Sequence, residues 1–412
     1  MKILLISSYL PPHPGGLEIV VDRELQALAR LGHEIRVITS DIGGCAKSPC
    51  TKNAQIIQVS AWNVLETRFD IPWPVFAPSL IPLLWRQLNW CDVLHAHGTL
   101  YMNSFLGLVL ARVLGKPAFL TEHAGIARYP SRFKQAIQWL AMETVGRASV
   151  RLASRTIGLN ERIVHLLRRL AGSLDKASLV LHPCDRKTFR LPVAGERDAA
   201  RRELGWGLDR LKILFVGRLT NRKGIELLLK AADPHYDLVF CGGGDATILR
   251  DSLTTNTTYL PPRTQRELLK VYHAADVLAL PSRSEGCPLV VQEAIACGLP
   301  VLVGKETGLE DFRMCAGLHF CELNPESIRR NLLKILGLDG YSKPIQDTRT
   351  TSLLDLLPTE EQWIEQLYGW LKPRVSHYLK QSKVASRRRN EPQSPPRSAE
   401  RPRTPVVVEC LF

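Results

Sequence analysis

One strand-loop-helix-strand pattern is written twice in this chain. Lys2 to Ser7 is an apolar run, Pro11 to Gly16 is a turn cluster, and Val21, Leu25 and Leu28 recur at helical spacing. Gly32 stops that helix, and Ile35 to Thr39 reads as the next strand. The order returns downstream, with Lys212 to Val216 a strand, Gly217 to Gly224 a loop, Ile225 to Ala232 a helix and Asp237 to Cys241 a strand. Both copies open Lys-Ile-Leu. Alternating strands and helices imply parallel sheets, whose ligands bind beyond the carboxyl ends of the strands. Two such domains facing each other bring both sets of strand ends to one cleft, and chemistry is expected there. A length of 412 residues exceeds a single core and suits two domains.

The break between domains is expected near Pro183 to Pro192, giving a first domain over 1–188 and a second over 189–358. Thr359-Glu360-Glu361-Gln362 has the form of a capping box, opening a last helix over 359–381 with Trp363, Leu367 and Trp370. Residues 382–412 contain Arg387-Arg388-Arg389 and then Pro, Ser and Arg, with too few apolar side chains to bury. Disorder is expected for this basic tail.

The formal net charge of +14 is unevenly spread. Lys372 to Arg403 carries +8 and Ile126 to Arg169 carries +7, which leaves the rest nearly neutral. On charge alone such clusters suit an anionic membrane surface and nucleic acid equally. The RRM and zinc-finger signatures of common nucleic-acid readers are absent, so nucleic acid is not an expected partner. Arg132 and Lys134 flank Phe133, Ile137 and Leu140, a pattern that fits a core-packed helix or one lying on lipid. The longest uncharged apolar run, Ile71 to Trp85, is fifteen residues with four prolines, short of the roughly 20 a spanning helix needs. Lys2 to Ile6 reaches Pro11-Pro12 too soon for a signal peptide. Ten cysteines without a Cys-x-x-Cys pair suit reduced thiols. The expected setting is cytoplasmic, with peripheral attachment to the inner face of a membrane.

The sharpest stretch is Ser284-Glu285-Gly286-Cys287-Pro288, followed by Glu293 and then Gly298-Leu299-Pro300. Pro288 suits the first position of a helix that Gly298 ends. Glu285 then lies just before that helix and Glu293 in its second turn, where both carboxylates can address hydroxyls of one ligand. The other reading is two solvated carboxylates, one of them favouring the helix dipole. Gly217-Arg218-Leu219-Thr220-Asn221-Arg222-Lys223-Gly224 sets two cations, Arg218 and Lys223, between glycines ahead of a helix, as a diphosphate cradle requires. A solvated basic loop has the same composition, and the P-loop order is missing. Gly242-Gly243-Gly244-Asp245 is a further strand-end loop, but Thr247 stands where the dinucleotide fingerprint needs glycine. Nicotinamide cofactors are therefore not expected, and tight-turn packing is the alternative role. His123 follows the strand Ala118 to Thr121 at its cleft-facing end. His95 and His97 with His123 raise the question of zinc, yet two strand residues sharing a face do not make a metal site, and none is expected.

Taken together, Arg218 to Gly224, the triple glycine, and Pro281-Ser282 through Glu285 and Glu293 to Gly298-Leu299-Pro300 closely resemble the family 4 retaining glycosyltransferases. Pro11 to Gly16, Asp92-Val93-Leu94-His95-Ala96-His97 and Thr121-Glu122-His123 agree in the first domain, and the resemblance covers about residues 1–381. It implies a GT-B α/β fold of two facing Rossmann-like domains. The first would hold a glycan or lipid-linked acceptor and the second a nucleotide diphosphate sugar. It further implies that Glu293 binds the ribose, Glu285 the donor sugar, and Arg218 and Lys223 the diphosphate. Gly15 and Gly16 would let backbone approach the phosphates and sugar, and His123 would contact the sugar near the reacting carbon. The activity implied is hexose transfer with retained configuration in cell-surface polysaccharide or glycolipid synthesis, with no cofactor beyond the donor. No Asp-x-Asp metal motif occurs. Two departures stand out: Leu181-His182-Pro183-Cys184-Asp185 lacks the family's Asn-Gly turn, and Thr307-Gly308-Leu309-Glu310 has one glycine where a pair is usual. A sugar-nucleotide epimerase of related architecture and a non-catalytic membrane- or nucleic-acid-binding protein are the other readings. The joint presence of Arg218, Lys223, Glu285 and Glu293 argues against a bare scaffold.

Overall fold

A computed structural model describes residues 1–13, 15–44, 53–69, 71, 73–126, 131–252, 256–305, 307–338 and 352–369. Met1–Leu367 is one compact unit; Tyr368–Phe412 separates as a second, of which only residues 368 and 369 are described.

Strands β1 (Lys2–Ile6), β2 (Glu34–Ser40) and β3 (Ala54–Val59) open the chain. Next come β4 (Ala61–Trp62) and β5 (Val75–Phe76), a small antiparallel ribbon of their own. With β6 (Val93–His97), β7 (Ala118–Glu122), β8 (Arg155–Gly158) and β9 (Ala177–Leu179) the first sheet is complete, in the order β3-β2-β1-β6-β7-β8-β9. The second comprises β10 (Leu211–Val216), β11 (Tyr236–Cys241), β12 (Thr257–Leu260), β13 (Val277–Leu280), β14 (Val301–Gly304) and β15 (Leu318–Cys321). Its order is β12-β11-β10-β13-β14-β15. All pairings within the two sheets are parallel.

In each sheet the opening strand is interior, and chain order reverses beside it, between β1 and β6 and between β10 and β13. Such reversals leave a crevice at the strand ends where ligands bind. Ile3, Leu4, Leu5 and Ile6 are all buried without alternation, as are Ile213, Leu214 and Phe215, because helices cover both faces. The helix Gly16–Arg30 supplies Val20, Val21, Leu25 and Leu28 to the core and stops at Gly32, whose φ of +79° favours glycine.

The capping box expected at Thr359 is formed. Thr359 N–H donates to Gln362 Oε1 at 2.9 Å and Gln362 N–H to Thr359 Oγ1 at 3.2 Å, opening the helix Glu360–Tyr368 with Trp363 buried. Trp370 and the tail 382–412 lie outside the described residues. Pro288 stands one position earlier than expected: the helix is Leu289–Ala296, and Pro288 is its extended N-cap at φ −66°, ψ 120°. Its carbonyl accepts the Val291 N–H, and its missing N–H costs nothing there. The helix Arg132–Ala141 is not core-packed. No residue of it is buried, and Phe133, Ile137, Trp139 and Leu140 are exposed, Phe133 by 75%. Seven of the ten cysteines are described, and those seven are free.

Candidate active site

The second sheet builds its part of the site from three strand-end loops. Leu219 N–H donates to Gly243 O at 2.7 Å, and a Cβ on Gly242 would stand 2.0 Å from the Gly217 carbonyl oxygen. The triple glycine thus permits close backbone approach of the Arg218 loop, its structural reading from sequence. A short turn, Asn221–Lys223, then leads to Gly224 at φ +75°, pressed against the Pro281 carbonyl at the exit of β13. That closeness delivers Lys223 to the Glu285 turn, with Lys223 Nζ 2.6 Å from Glu285 Oε1. Two residues singled out by sequence therefore meet.

Residues of the first half grip that turn. A Cβ on Gly286 would fall 1.8 Å from the His123 carbonyl oxygen, so no side chain fits between the two backbones. Asn160, 1% exposed, accepts the Ile163 N–H to cap the helix Glu161–Ala171. Its amide nitrogen meanwhile donates to the carbonyls of Glu285 and Gly286, at 3.3 and 2.9 Å. Cys287 is buried among apolar side chains of the first half. A cavity of about 310 Å³ opens beside these contacts, lined by Ala124, Gly125, Asn160, Arg162 and His165 on one side and Ser284 on the other.

Glu293 takes other partners than Glu285. It is buried, accepts the Tyr272 hydroxyl at 3.0 Å, and has Arg23 Nη2 3.7 Å from its Oε1. Burial pushes its carboxyl up to about 7, against the pull of Arg23 and Tyr272. Arg218 stands apart from the Lys223–Glu285 pair. Its Nη1 lies 2.6 Å from Glu66 Oε1, a residue of the helix Val64–Phe69 in the first half.

Glu66 belongs to a connected cluster. His13 Nδ1 is 2.8 Å from Glu18 Oε1 and its Nε2 3.5 Å from Glu66 Oε2; Tyr9 stacks on His13 and donates its hydroxyl to Glu66 at 3.1 Å. Burial raises the Glu66 carboxyl, but His13, Asn63 and Arg218 outweigh it and hold it at about 2. The same carboxylates hold His13 above its usual value despite its burial. Gly15 is enclosed here, since a Cβ on it would meet Glu18 Oε2 at 2.0 Å, whereas Gly16 has nothing within 4 Å.

Behind His123 lies a run of buried imidazoles. His95 Nδ1 is 2.7 Å from Glu24 Oε1 and its Nε2 2.7 Å from Thr121 Oγ1. His97 Nδ1 is 3.1 Å from His123 Nε2, and His97 Nε2 is 3.5 Å from Glu24 Oε2. His123 stacks on His182 at 5.4 Å, and His182 meets the Trp363 ring edge at 5.7 Å. Ligand atoms of Glu24, His95 and His97 lie within 4.8 Å of one another, a donor set chemically able to hold a metal. Hydrogen bonds already link two of the three.

Arg23, Asn160, Glu66, His13, Tyr272 and Glu24 were not found from sequence. Apart from His13, none sits in a motif, and each has a partner distant in the chain. Two histidines had a signal: His13 in the Pro11 to Gly16 cluster, and His182 beside Pro183 at the expected domain break.

Two parallel sheets, each with a ligand crevice and with loops meeting across it, define a GT-B protein. Solved structures of this fold superpose on nearly the whole chain. HepE of Anabaena, in complex with UDP-glucose, has a TM-score of 0.71 at 14% identity, covering 90% of this chain and all of that one. Sucrose-phosphate synthase of Thermosynechococcus elongatus has 0.69 at 21% identity, covering 93% of this chain and 100% of that one. The profile described as glycosyltransferase family 4 matches residues 14–186, and that described as glycosyl transferases group 1 matches 196–342. D-inositol 3-phosphate glycosyltransferase of Mycolicibacterium smegmatis is 38% identical over 329 residues, 72% of each chain. The chain belongs to the group 1, family 4 glycosyltransferases.

Proposed function

We propose that the protein transfers a hexose from a nucleotide diphosphate sugar to a hydroxyl of a glycan or lipid-linked acceptor, with retained anomeric configuration and without a metal ion. The observation that carries this reading is the Lys223–Glu285 contact at the mouth of the helix Leu289–Ala296, with Arg218 on the same loop as Lys223. Breaking the sugar–phosphate bond builds charge on the departing diphosphate. Lys223 and Arg218 neutralise it from fixed positions, with the helix N-terminus adding a partial positive charge. Glu285 accepts hydrogen bonds from sugar hydroxyls, Glu293 from those of the ribose, and His123 borders the sugar. The rest is orientation of the acceptor hydroxyl against the sugar. The UDP-glucose complex of HepE makes uridine donors the first to try.

A thermal-shift screen of UDP-, GDP- and ADP-sugars tests the donor assignment. One class should raise Tm, and the raise should vanish in Glu293→Ala; no shift with any of them contradicts the reading. NMR of the product then reads the anomeric configuration.

The exposed Phe133, Ile137, Trp139 and Leu140, beside Arg132 and Lys134, support docking of the helix Arg132–Ala141 on an anionic membrane face. Among the described residues no helix is long and apolar enough to cross one. Anionic vesicles should bind the protein and release it as salt rises past ~0.15 M, where charges are screened beyond about 8 Å. Absent or salt-insensitive binding removes the membrane and with it the assignment to cell-surface glycan or glycolipid assembly, while leaving the transferase in place.

A further inference from the structure

We propose that Glu24 and His97 are positioning residues that fix His123 as its Nε2–H tautomer, leaving Nδ1 of His123 to accept a hydrogen bond from a hydroxyl of the bound sugar. This rests on the reading of the cleft as a sugar-nucleotide site.

Glu24, in the helix Gly16–Arg30, is 1% exposed, and its Oε1 lies 2.7 Å from His95 Nδ1. His95 Nε2 is engaged in turn by Thr121 Oγ1, so the carboxylate is held on one side. Its other oxygen, Oε2, faces His97 Nε2 at 3.5 Å. That nitrogen is fully buried and has no closer hydrogen-bond partner among the described residues. His95 and His97 leave β6 on one face, as their two-residue spacing requires.

A carboxylate only accepts, and a neutral imidazole donates from one nitrogen and accepts at the other. His97 facing Glu24 therefore carries its proton on Nε2 and presents a lone pair at Nδ1. His123 Nε2, 3.1 Å from that Nδ1, must then be the donor. The remaining nitrogen of His123 is left as an acceptor. His97 is 1% exposed, where a charged ring is costly, and a single proton between its Nδ1 and His123 Nε2 is what their 3.1 Å contact requires. His182, stacked on His123 with ring planes 21° apart, restricts rotation of the ring. The 3.5 Å contact is longer than an ordinary hydrogen bond, and the carboxylate still favours the ring proton on the nitrogen that faces it.

Glu24→Gln tests this at constant size. The amide can donate to His97 Nε2, which reverses every donor in the chain and gives His123 a proton on Nδ1. Long-range ¹H–¹⁵N correlation on the histidine-labelled full-length protein reads the tautomer directly. His97→Phe, which ends the relay without changing Glu24, serves as the second variant should Glu24→Gln not fold. The expected result is Nε2–H at His123 in the unaltered protein, Nδ1–H in Glu24→Gln, and loss of a single preferred tautomer in His97→Phe. Both variants should lower kcat about 10²-fold, the scale of one misdirected active-site hydrogen bond, with donor KM changed far less. Nδ1–H in the unaltered protein, or unchanged kcat after the tautomer has switched, overturns the proposal. So does one equivalent of tightly bound metal in the purified protein that Glu24→Gln abolishes, because those nitrogens would then be ligands. Were the expected tautomers found with no sugar transferred by any donor, the transferase reading would fail and the relay from Glu24 to His123 would stand.

Discussion

The loops leaving β1 and β10 occupy equivalent places in their sheets and differ in charge: residues 7–15 contain no Lys, Arg, Asp or Glu, whereas residues 217–224 contain Arg218, Arg222 and Lys223. Each follows an interior strand at the point where strand order reverses, and each leads into a helix. The first carries Tyr9 and His13 and ends against Glu18, packed so closely that both aromatic rings are buried, and the fifteen-residue helix Gly16–Arg30 follows. The second carries Arg218 and Lys223 and leads to the six-residue helix Ile225–Lys230. Topology has placed both loops at ligand crevices, and their side chains decide what each can do there. The halves meet through this difference, Arg218 of the second loop pairing with Glu66 beside the first. Arg218 is thus paired with Glu66 and Lys223 with Glu285, and a diphosphate bound at those two cations, as proposed, would compete with both.

The largest expected effects break the cationic side. Lys223→Ala and Arg218→Ala should each lower transfer ~10²–10³-fold, the scale of losing one transition-state donor. Glu285→Ala should cost at least ~10²-fold with an unchanged circular dichroism spectrum. Wild-type rates in all three would place the chemistry elsewhere. Gly286→Ala attacks the meeting of the halves instead. Its Cβ has a backbone carbonyl 1.8 Å away, so activity should fall with Lys223 and Glu285 both intact, alongside a loss of about 1–3 kcal/mol in stability. Equal activity and Tm would mean that the two backbones do not approach this closely.

A smaller effect sharpens the contrast between the two glutamates. Glu293 is held up at about 7, against 4.5 for an ordinary Glu. Below pH 4.5 both folded and unfolded chains hold that proton. Between 4.5 and about 7 only the unfolded chain gives it up, so stability should fall as pH rises through this window and level off above it. The loss is on the order of 3 kcal/mol, and Glu293→Gln should remove it in denaturant melts across pH. Donor affinity should run the other way, strengthening as Glu293 ionises near pH 7 and becomes a full acceptor for ribose hydroxyls. A pH-independent donor Kd would contradict its ribose role. The smallest effect belongs to Glu66→Gln, which frees Arg218 from a partly exposed ion pair and should tighten donor binding by no more than about fivefold. Weaker binding would assign Glu66 to holding Arg218 in place.

Much of this arrangement was legible in the residues. The paired Lys-Ile-Leu openings located both interior strands, and Thr359 to Gln362 announced its helix start, because strand burial and helix caps are local properties. Lys223 and Glu285 were named together, although their 2.6 Å contact depends on Gly224 passing the Pro281 carbonyl. What stayed hidden was long-range pairing. Arg23 with Glu293, Asn160 with Gly286, and Arg218 with Glu66 join residues far apart in the chain, and no spacing rule reaches across two sheets. For the helix Arg132–Ala141 the sequence leaves a core-packed and a lipid-lying reading open for another reason: a stripe of Phe133, Ile137 and Leu140 has the same period whichever it faces.

In the proposed mechanism fixed protein charges stand in place of a metal at the departing diphosphate. Product formation should be measured in excess EDTA, with and without Mg²⁺ or Mn²⁺ added back, for the unaltered protein and Lys223→Ala. Undiminished transfer by the unaltered protein in EDTA is expected, with ~10²–10³-fold slower transfer by Lys223→Ala whatever metal is added. Activity that EDTA abolishes and only metal restores would contradict it, and would turn attention to Glu24, His95 and His97.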